Sequence, residues 1–283
     1  MAAEFPTVSF IGVGTMMEAM VDKAIEGGWP RDRLVLTHRR PERRAELAKR
    51  FSVTVEEDNV AAAKKGDIVV TGVRPQETDA MLATLRPAFS ADKMLFSIAA
   101  GLTIPWLKAR LPKGMTVVRI TPPPTAWVSA GVTLLSADEE LSDTTKDHIN
   151  RLVKATCERT QWVPDELHEP ITGVALALTP YSCAMLQTLI KAGVEQGIEE
   201  PFIRNMIMEG FFATARLMKD GKLTPEQVIE MVATREGLTW SSLHTMEAYG
   251  VFRGIRAAAR AMTGRSYELR GEVVPNDYMG FMR

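Results

Sequence analysis

The stretch Val8–Met20, VSFIGVGTMMEAM, decides the fold. Val8–Ile11 suits a buried strand, Gly12 and Gly14 follow, and apolar residues at helical spacing begin at Met16. Gly12 permits a tight turn. Gly14, with Thr15 and Met16 opening the helix, lets backbone approach a pyrophosphate on the helix dipole. The third glycine of the usual GxGxxG pattern is Met17 here. Met17 is expected either to hold the helix slightly further from the sheet or to fill the gap a glycine would leave. The motif alone is weak evidence; at the first strand-to-helix turn of a chain of such units it reads as a dinucleotide-binding fingerprint. A glycine turn in an α/β protein without a nucleotide is the bland alternative.

Working outward, strand-like runs are predicted at Val8–Ile11, Leu34–Thr37, Asp67–Val73, Met94–Ile98, Thr116–Ile120, Val132–Leu135 and Gln161–Val163. Helix-period segments lie between them at Met16–Glu26, Pro41–Phe51, Glu77–Leu85 and Asp143–Cys157. This alternation predicts a Rossmann-type, doubly wound parallel sheet with helices on both faces over residues 1–163. After Pro164 only helical spacing remains, so residues 164–283 read as an all-α domain. Gly197, Gly221 and Gly264 mark expected helix ends, and Thr224-Pro225 an N-cap with proline at the first helical position. The tail GEVVPNDYMGFMR has no clear period and is either an ordered arm or a frayed end.

Composition narrows the function classes. In 283 residues, 34 basic side chains face 35 acidic ones, so no global field favours nucleic acid or an anionic membrane. No segment is expected to reach the ~18 apolar residues of a membrane span, and MAAEFPTVSF lacks a basic-then-apolar leader pattern. Cys157 and Cys183 cannot make a CxxC pair, and a reduced cytoplasmic thiol is the default for each. His38 is placed to touch an adenosine phosphate; His148, His168 and His244 lie on helical segments without ligand-like spacing, so no metal site is expected. The protein reads as cytoplasmic. Its 16 methionines read as core and interface packing.

The end of the second strand tests the cofactor. An NAD site offers Asp or Glu there to the ribose hydroxyls. LVLTHRRPERR offers Thr37, His38, Arg39 and Arg40, with no acid before Glu42. A guanidinium holds a 2′-phosphate bidentately and stacks on adenine, so the expected cofactor is NADP(H). Arg43, Arg44, Lys49 and Arg50 are expected on a solvated helix face.

VVRITPPPTAWVSAG, from Val117 to Gly131, runs a strand into three prolines. A triplet of residues without backbone donors excludes both a helix interior and a central strand, and marks a stiff loop at a strand end.

In order and spacing, FIGVGTMMEAM, GVRPQ (Gly72–Gln76), SIAAGLTI (Ser97–Ile104), VVRITPPPTAWVSAGVT and KAGVEQGI resemble the pyrroline-5-carboxylate reductase family. The resemblance reaches about residue 265. It implies a Rossmann domain followed by a helical dimerisation domain that interlocks with a second subunit, and hydride transfer from a nicotinamide to a C=N carbon. It adds Val73, Arg74, Pro75, Ala99, Ala100, Gly101 and Pro123 to the cofactor-binding candidates, and makes Thr121–Thr125 the loop that meets the nicotinamide. Such chemistry needs positioning, exclusion of water and a group to orient the nitrogen more than it needs an acid-base dyad.

Where the family tends to have Asn-Thr-Pro, this chain has Pro123, Pro124 and Thr125, which keeps the stiffness and loses one amide; two larger segments also depart from the family pattern. Where the family has the small-residue element SxxxxSGSGPAY, this chain has Ala175, Leu176, Ala177, Leu178 and Thr179, with Tyr181 retained. Where the family has Ser-Pro-Gly-Gly-x-Thr, whose amides receive the substrate carboxylate, this chain has Thr234-Arg235-Glu236-Gly237-Leu238-Thr239, then Trp240. The resemblance makes Thr239 and Tyr181 the catalytic candidates, Thr239 through a hydrogen bond to the imine nitrogen. Glu236, Gly237, Leu238, Trp240 and Leu178 are the substrate-binding candidates. Glu236 would disfavour an anionic substrate unless Arg235 neutralises it. The bland alternatives are a solvent-facing Arg235 and Glu236, Trp240 as core filler and Tyr181 as a packed helix residue.

The leading expectation is an NADPH-dependent imine reductase with an altered substrate. The alternatives are a pyrroline-5-carboxylate reductase of proline biosynthesis, a non-catalytic NADP-binding protein, and a reductase using a flavin-type hydride carrier. A small-molecule imine and a second copy of the chain are the expected partners, with no nucleic acid and no membrane. About 120 helical residues with wide apolar faces bury themselves poorly alone, which predicts at least a homodimer.

Overall fold

The computed structural model describes residues 5–138, 140–154 and 157–279. Its contacts separate two compact units, one of 1–176 with 260–283 and one of 177–259. The division therefore falls at residue 176, past the 163 read from the sequence, and the last helix returns to the first unit.

The first unit holds an eight-stranded sheet of β1 (Val8–Ile11), β2 (Leu34–Thr37), β3 (Thr54–Glu56), β4 (Ile68–Thr71), β5 (Met94–Ser97), β6 (Thr116–Thr121), β7 (Val132–Ala137) and β8 (Arg159–Trp162). The order is β3-β2-β1-β4-β5-β6-β7-β8. β1 through β6 run parallel to one another. β7 is antiparallel to β6, with Thr121 opposite Leu134, and β8 runs parallel to β7. The reversal follows from chain length. Only residues 122–131 separate β6 from β7, too few for the dozen or more a parallel crossover needs.

Helices α1 (Thr15–Glu26), α2 (Pro41–Phe51), α3 (Asn59–Lys65), α4 (Pro75–Leu85), α5 (Ile104–Lys108), α6 (Asp143–Lys154) and α7 (Asp165–Ile171) accompany the sheet. The pleat sends alternate strand residues to opposite faces. Val8, Phe10, Leu34 and Leu36 join Met17, Met20 and Leu152 in one apolar cluster. Ile11, Val35 and Val69 join Leu82, Leu85 and Leu107 in another. Each fully buried Leu or Phe contributes about 1.5–3 kcal/mol. The expected helix 143–157 ends at Lys154; residues 155 and 156 lie outside those described, and Cys157 is buried beyond the helix.

The second unit consists of α8 (Leu178–Glu195), α9 (Glu200–Gly221), α10 (Pro225–Val232), α11 (Leu238–Ala248) and the start of α12 (Val251–Arg270). Gly197 and Gly221 fall at helix ends as expected. Gly264 does not: it is a buried position inside α12, because nothing around it interrupts the helical hydrogen bonds. Thr224 caps α10 through a full capping box, its Oγ1 accepting from the Gln227 N–H at 3.3 Å. None of the residues of α9, α10 or α11 is buried, and Leu189, Phe202, Met206, Phe212 and Met231 lie exposed. The tail reads as an ordered arm as far as Met279: α13 (Asn276–Met279) follows α12, and Tyr278 stacks on Tyr267 with ring centres 6.0 Å apart. The tail's last four residues lie outside the described region.

One expectation about composition is corrected. The helical run Asp165–Glu195 contains an 18-residue window of mean hydropathy 1.4, enough by length and composition to cross a membrane. The cause is the absence of charge from residues 171–190, where Thr, Ser, Tyr and Gln dilute the apolar residues. Only 17% of that window is buried.

Candidate functional site

In the first unit the candidate nucleotide site gathers at the carboxyl ends of β1, β2, β4, β5 and β6. Gly12 sits at φ +76°, a conformation that favours glycine. Its N–H donates to Thr37 Oγ1 at 2.9 Å, while the Val13 N–H donates to the Thr37 carbonyl at 2.8 Å. Thr37, fully buried, thus ties the first loop to the second strand end. Gly14 is the N-cap of α1 with no side-chain cap, and a Cβ there would meet no atom within 4 Å. Uncapped N–H groups of a twelve-residue helix facing open space fit a phosphate group. Thr15 is exposed and Met16 half-buried beside them.

Met17 resolves the missing third glycine. It is buried, and a Cβ on Gly72 would fall 2.5 Å from its Cε and 2.9 Å from Ile98 Cδ1. The methionine occupies the volume left empty by a glycine at the end of the adjacent strand, β4, so α1 keeps its packing on the sheet.

At the end of β2, His38 is half-buried and its Nδ1 accepts the Arg40 N–H at 3.1 Å. Burial, chiefly, lowers the His38 pKa below the usual imidazole value, and the cations Arg40, Arg43 and Arg39 lower it further. Arg39 and Arg40 are exposed, and no carboxylate among the described residues pairs with either. Arg44 holds the turn from beneath, donating to the carbonyls of His38 at 3.1 Å and Arg39 at 3.3 Å. The expected solvated face of α2 is therefore only partly so. Arg43 and Arg50 bind Glu18 of α1, and Arg44 binds Glu57 at 3.2 Å. Lys49 is exposed. A buried carboxylate at residue 18 explains this: it needs cationic partners.

Val73 is half-buried, Arg74 is exposed and pairs with Glu77 at 2.8 Å, and Pro75 opens α4. Ala99 is buried and Ala100 exposed; the carbonyl of Gly101 accepts from Arg270 Nη1 of α12 at 2.7 Å. Pro123 is buried and leads into a short 3-10 turn, Pro124–Val128. Thr125 Oγ1 donates to the Ala130 carbonyl at 2.8 Å and closes the proline loop on itself.

Sequence reasoning missed the polar cluster behind this loop. Arg119, 2% exposed within β6, pairs with Asp165 at 2.5 Å and with Glu169, both of α7. Asp165 Oδ2 also accepts the Ile104 N–H at 2.9 Å. His168, fully buried, lies 2.8 Å from both Thr121 Oγ1 and Ser136 Oγ. An arginine inside the apolar strand VVRIT was the available signal, since a buried guanidinium demands carboxylates elsewhere in the chain.

In the second unit Leu178 begins α8, largely exposed, and Tyr181 is half-buried, its phenol pKa raised by burial. Just ahead of α8 lies a π-helical segment, Thr172–Leu176, between Pro170 and Pro180. Segments of this kind recur at functional sites. The loop before α11 places Glu236 at φ +63° and Gly237 at the N-cap. A Cβ on Gly237 would fall 2.5 Å from Thr234 Oγ1 and 3.0 Å from the Thr234 carbonyl, so a larger residue there would have to displace the Thr234 side chain. Arg235 and Glu236 are both exposed, and no ion pair joins them. Leu238 is 95% exposed, Thr239 half-buried, and Trp240 stacks on His244 one turn later at 3.6 Å. Trp240 is thus neither free nor core. Among the described residues, no group of three or more His, Cys, Asp or Glu is placed to hold a metal.

A Rossmann sheet with an open first turn, arginines at the second strand end and an appended helical unit defines a class of nucleotide-dependent oxidoreductase folds. Residues 7–101 match the family model described as "NADP oxidoreductase coenzyme F420-dependent", and residues 166–269 match "Pyrroline-5-carboxylate reductase dimerisation". The chain is 28% identical to pyrroline-5-carboxylate reductase of Haemophilus influenzae over 93% of this chain and 97% of the relative. It is 26% identical to that of Pseudomonas aeruginosa over the same shares. Among solved structures, pyrroline carboxylate reductase of Plasmodium falciparum with NADP bound superposes with a TM-score of 0.83 at 18% identity, covering 94% of this chain and 98% of the other. The Streptococcus pyogenes enzyme gives 0.83 at 21%, covering 92% and 98%. Over nearly its whole length the chain is thus similar to pyrroline-5-carboxylate reductases, at 26–28% identity to the two curated relatives.

Proposed function

We propose that this protein is an NADPH-dependent reductase of a C=N bond whose substrate lacks the carboxylate of pyrroline-5-carboxylate. Similarity to pyrroline-5-carboxylate reductases over 93% of the chain supports the reductase chemistry. The observation that carries the altered substrate is Glu236, a carboxylate at φ +63° in the loop where the resemblance expects glycine. A non-glycine residue in the left-handed region costs about 1 kcal/mol or more, and its negative charge would oppose a substrate carboxylate seated at the start of α11.

Bound NADPH would supply the hydride. Gly12, Gly14 and the first N–H groups of α1 would seat its pyrophosphate, with Thr15 and Met16 beside them. Arg39 and Arg40 would hold the 2′-phosphate, and the absence of an acid at this strand end removes the repulsion that would reject it. Val73, Arg74, Pro75, Ala99, Ala100 and Gly101 would flank the dinucleotide, and Pro123 would define the nicotinamide end. Thr239 would orient the imine nitrogen by a hydrogen bond, with Tyr181 as the second polar group. Gly237, Leu238, Trp240 and Leu178 would shape the substrate pocket and exclude water. The chain would act in the cytoplasm as a homodimer or larger homo-oligomer, its exposed α8 and α9 faces covered by a second copy.

A pyrroline-5-carboxylate reductase of proline biosynthesis is the second reading, favoured by relatives named pyrroline-5-carboxylate reductase that align over 93% of this chain. NADPH consumption with a panel of cyclic imines tests the proposal. Turnover of any imine excludes the passive NADP binder, and turnover with a flavin-type acceptor alone would contradict C=N reduction.

A further inference from the structure

The proline loop is stiff, yet its stiffness says nothing about where it is held. Pro122, Pro123 and Pro124 carry no N–H, so three successive residues offer the neighbouring strand no backbone donor. The last side chain that can fix the loop's start is Thr121, and its Oγ1 lies 2.8 Å from His168 Nε2. The other imidazole nitrogen, Nδ1, lies 2.8 Å from Ser136 Oγ. Ser136 Oγ donates its proton to the Val163 carbonyl at 2.8 Å. It must therefore accept from His168, which puts the imidazole proton on Nδ1 and leaves Nε2 as an acceptor for the Thr121 hydroxyl.

The direction of every proton in the chain Thr121 to His168 to Ser136 to Val163 is thus set by one terminal carbonyl. Burial and the nearby Arg119 guanidinium keep His168 neutral, with a pKa lowered to about 3. The helix that carries it is itself fixed. Asp165 and Glu169 of α7 grip Arg119 of β6, and Asp165 receives the Ile104 N–H just past the Ala99–Gly101 loop. One helix turn therefore ties two of the loops proposed to face the cofactor.

We infer that His168 is a positioning residue: through its hydrogen bond to Thr121 it sets where the Pro122–Pro124 loop stands against the nicotinamide half of NADPH. The inference rests on the cofactor reading above. It makes one side of the imidazole matter more than the other. An interchangeable core residue would be replaced equally well by any polar group that keeps either bond. A positioning residue needs the acceptor at Nε2.

The test compares His168→Gln, whose amide reaches the Nε2 position, with His168→Asn, whose amide reaches only the Nδ1 position, and with Thr121→Val, which keeps shape and removes the hydroxyl. Affinities are measured for NADPH and for 2′,5′-ADP, which carries the adenosine half alone. H168N and T121V are expected to weaken NADPH at least fivefold while 2′,5′-ADP changes less than twofold, and H168Q is expected to bind both within twofold of the parent. Parallel loss of both ligands, or H168Q no better than H168N, would overturn the inference. Should the His168 variants fail to fold, T121V alone decides by the same ratio. A parent that binds neither ligand contradicts the cofactor reading and the inference together; a parent that binds both but reduces no imine leaves the inference standing.

Discussion

Met17 and Gly72 share one volume: the methionine Cε lies 2.5 Å from where a Cβ on Gly72 would stand. A fingerprint that lacks its third glycine is thereby completed from a different strand end. The pair makes a direct energetic prediction. Gly72→Ala alone should destabilise by about 1–3 kcal/mol through overpacking, and Met17→Ala alone by about 2–5 kcal/mol through the cavity it leaves. The double variant should be less destabilised than the sum by at least about 1 kcal/mol, because the added methyl enters the cavity. Urea denaturation of the four proteins measures the coupling, and additive effects would show that the two sites relax independently.

Among the described residues Arg39 and Arg40 have no carboxylate partner, and so remain available to a phosphate. Arg40→Asp should weaken NADPH at least tenfold, the loss of one charge-assisted contact worth about 1.5–3 kcal/mol. NADH should change by less than threefold. Equal losses for the two nucleotides, measured by fluorescence titration, would place the 2′-phosphate elsewhere.

His168 gives a pH signature. Its pKa is about 3 in the folded protein against 6.5 for an ordinary imidazole. Between these values the unfolded chain binds a proton that the native chain refuses, so stability falls as pH drops from 6.5 toward 3, by about 1.4 kcal/mol per pH unit. Above pH 6.5 this group contributes no pH dependence. H168Q should show a flatter loss of melting temperature between pH 6 and 4 than the parent. Identical slopes would mean that the imidazole takes up its proton in the native state.

Glu236 separates charge from backbone. If its carboxylate repels an anionic substrate, both Glu236→Gly and Glu236→Gln should raise kcat/KM for a carboxylate-bearing imine at least fivefold relative to a neutral one. A gain with glycine alone would assign the effect to the φ +63° backbone, and no gain with either would remove Glu236 from substrate choice.

The sheet was legible where strands are buried on both faces. Val8–Ile11 and Leu34–Thr37 are unbroken buried runs, and such runs announce a central parallel strand without needing a period. Thr54–Glu56 escaped notice because it is a three-residue, half-exposed edge strand. The reversal of β7 was also invisible, since side-chain patterning carries no strand direction. The turn of Gly12 and Gly14 and the strand-end position of Arg39 and Arg40 could be read locally, since each is set within a few residues of its own turn. The Arg119–Asp165–Glu169 and Thr121–His168–Ser136 contacts could not, because their partners lie 32 to 50 residues apart and only the fold brings them together. Gly264 was misread for the opposite reason: a local rule for helix ends was applied where tertiary packing keeps the helix going.

The central claim is C=N reduction with an altered substrate, and NADPH oxidation measured with 1-pyrroline beside pyrroline-5-carboxylate tests it most directly. The account predicts turnover of the neutral imine with a kcat/KM at least tenfold above that of the carboxylate. Fast turnover of pyrroline-5-carboxylate with little or none of 1-pyrroline would contradict it, and would make this divergent chain an ordinary enzyme of proline formation.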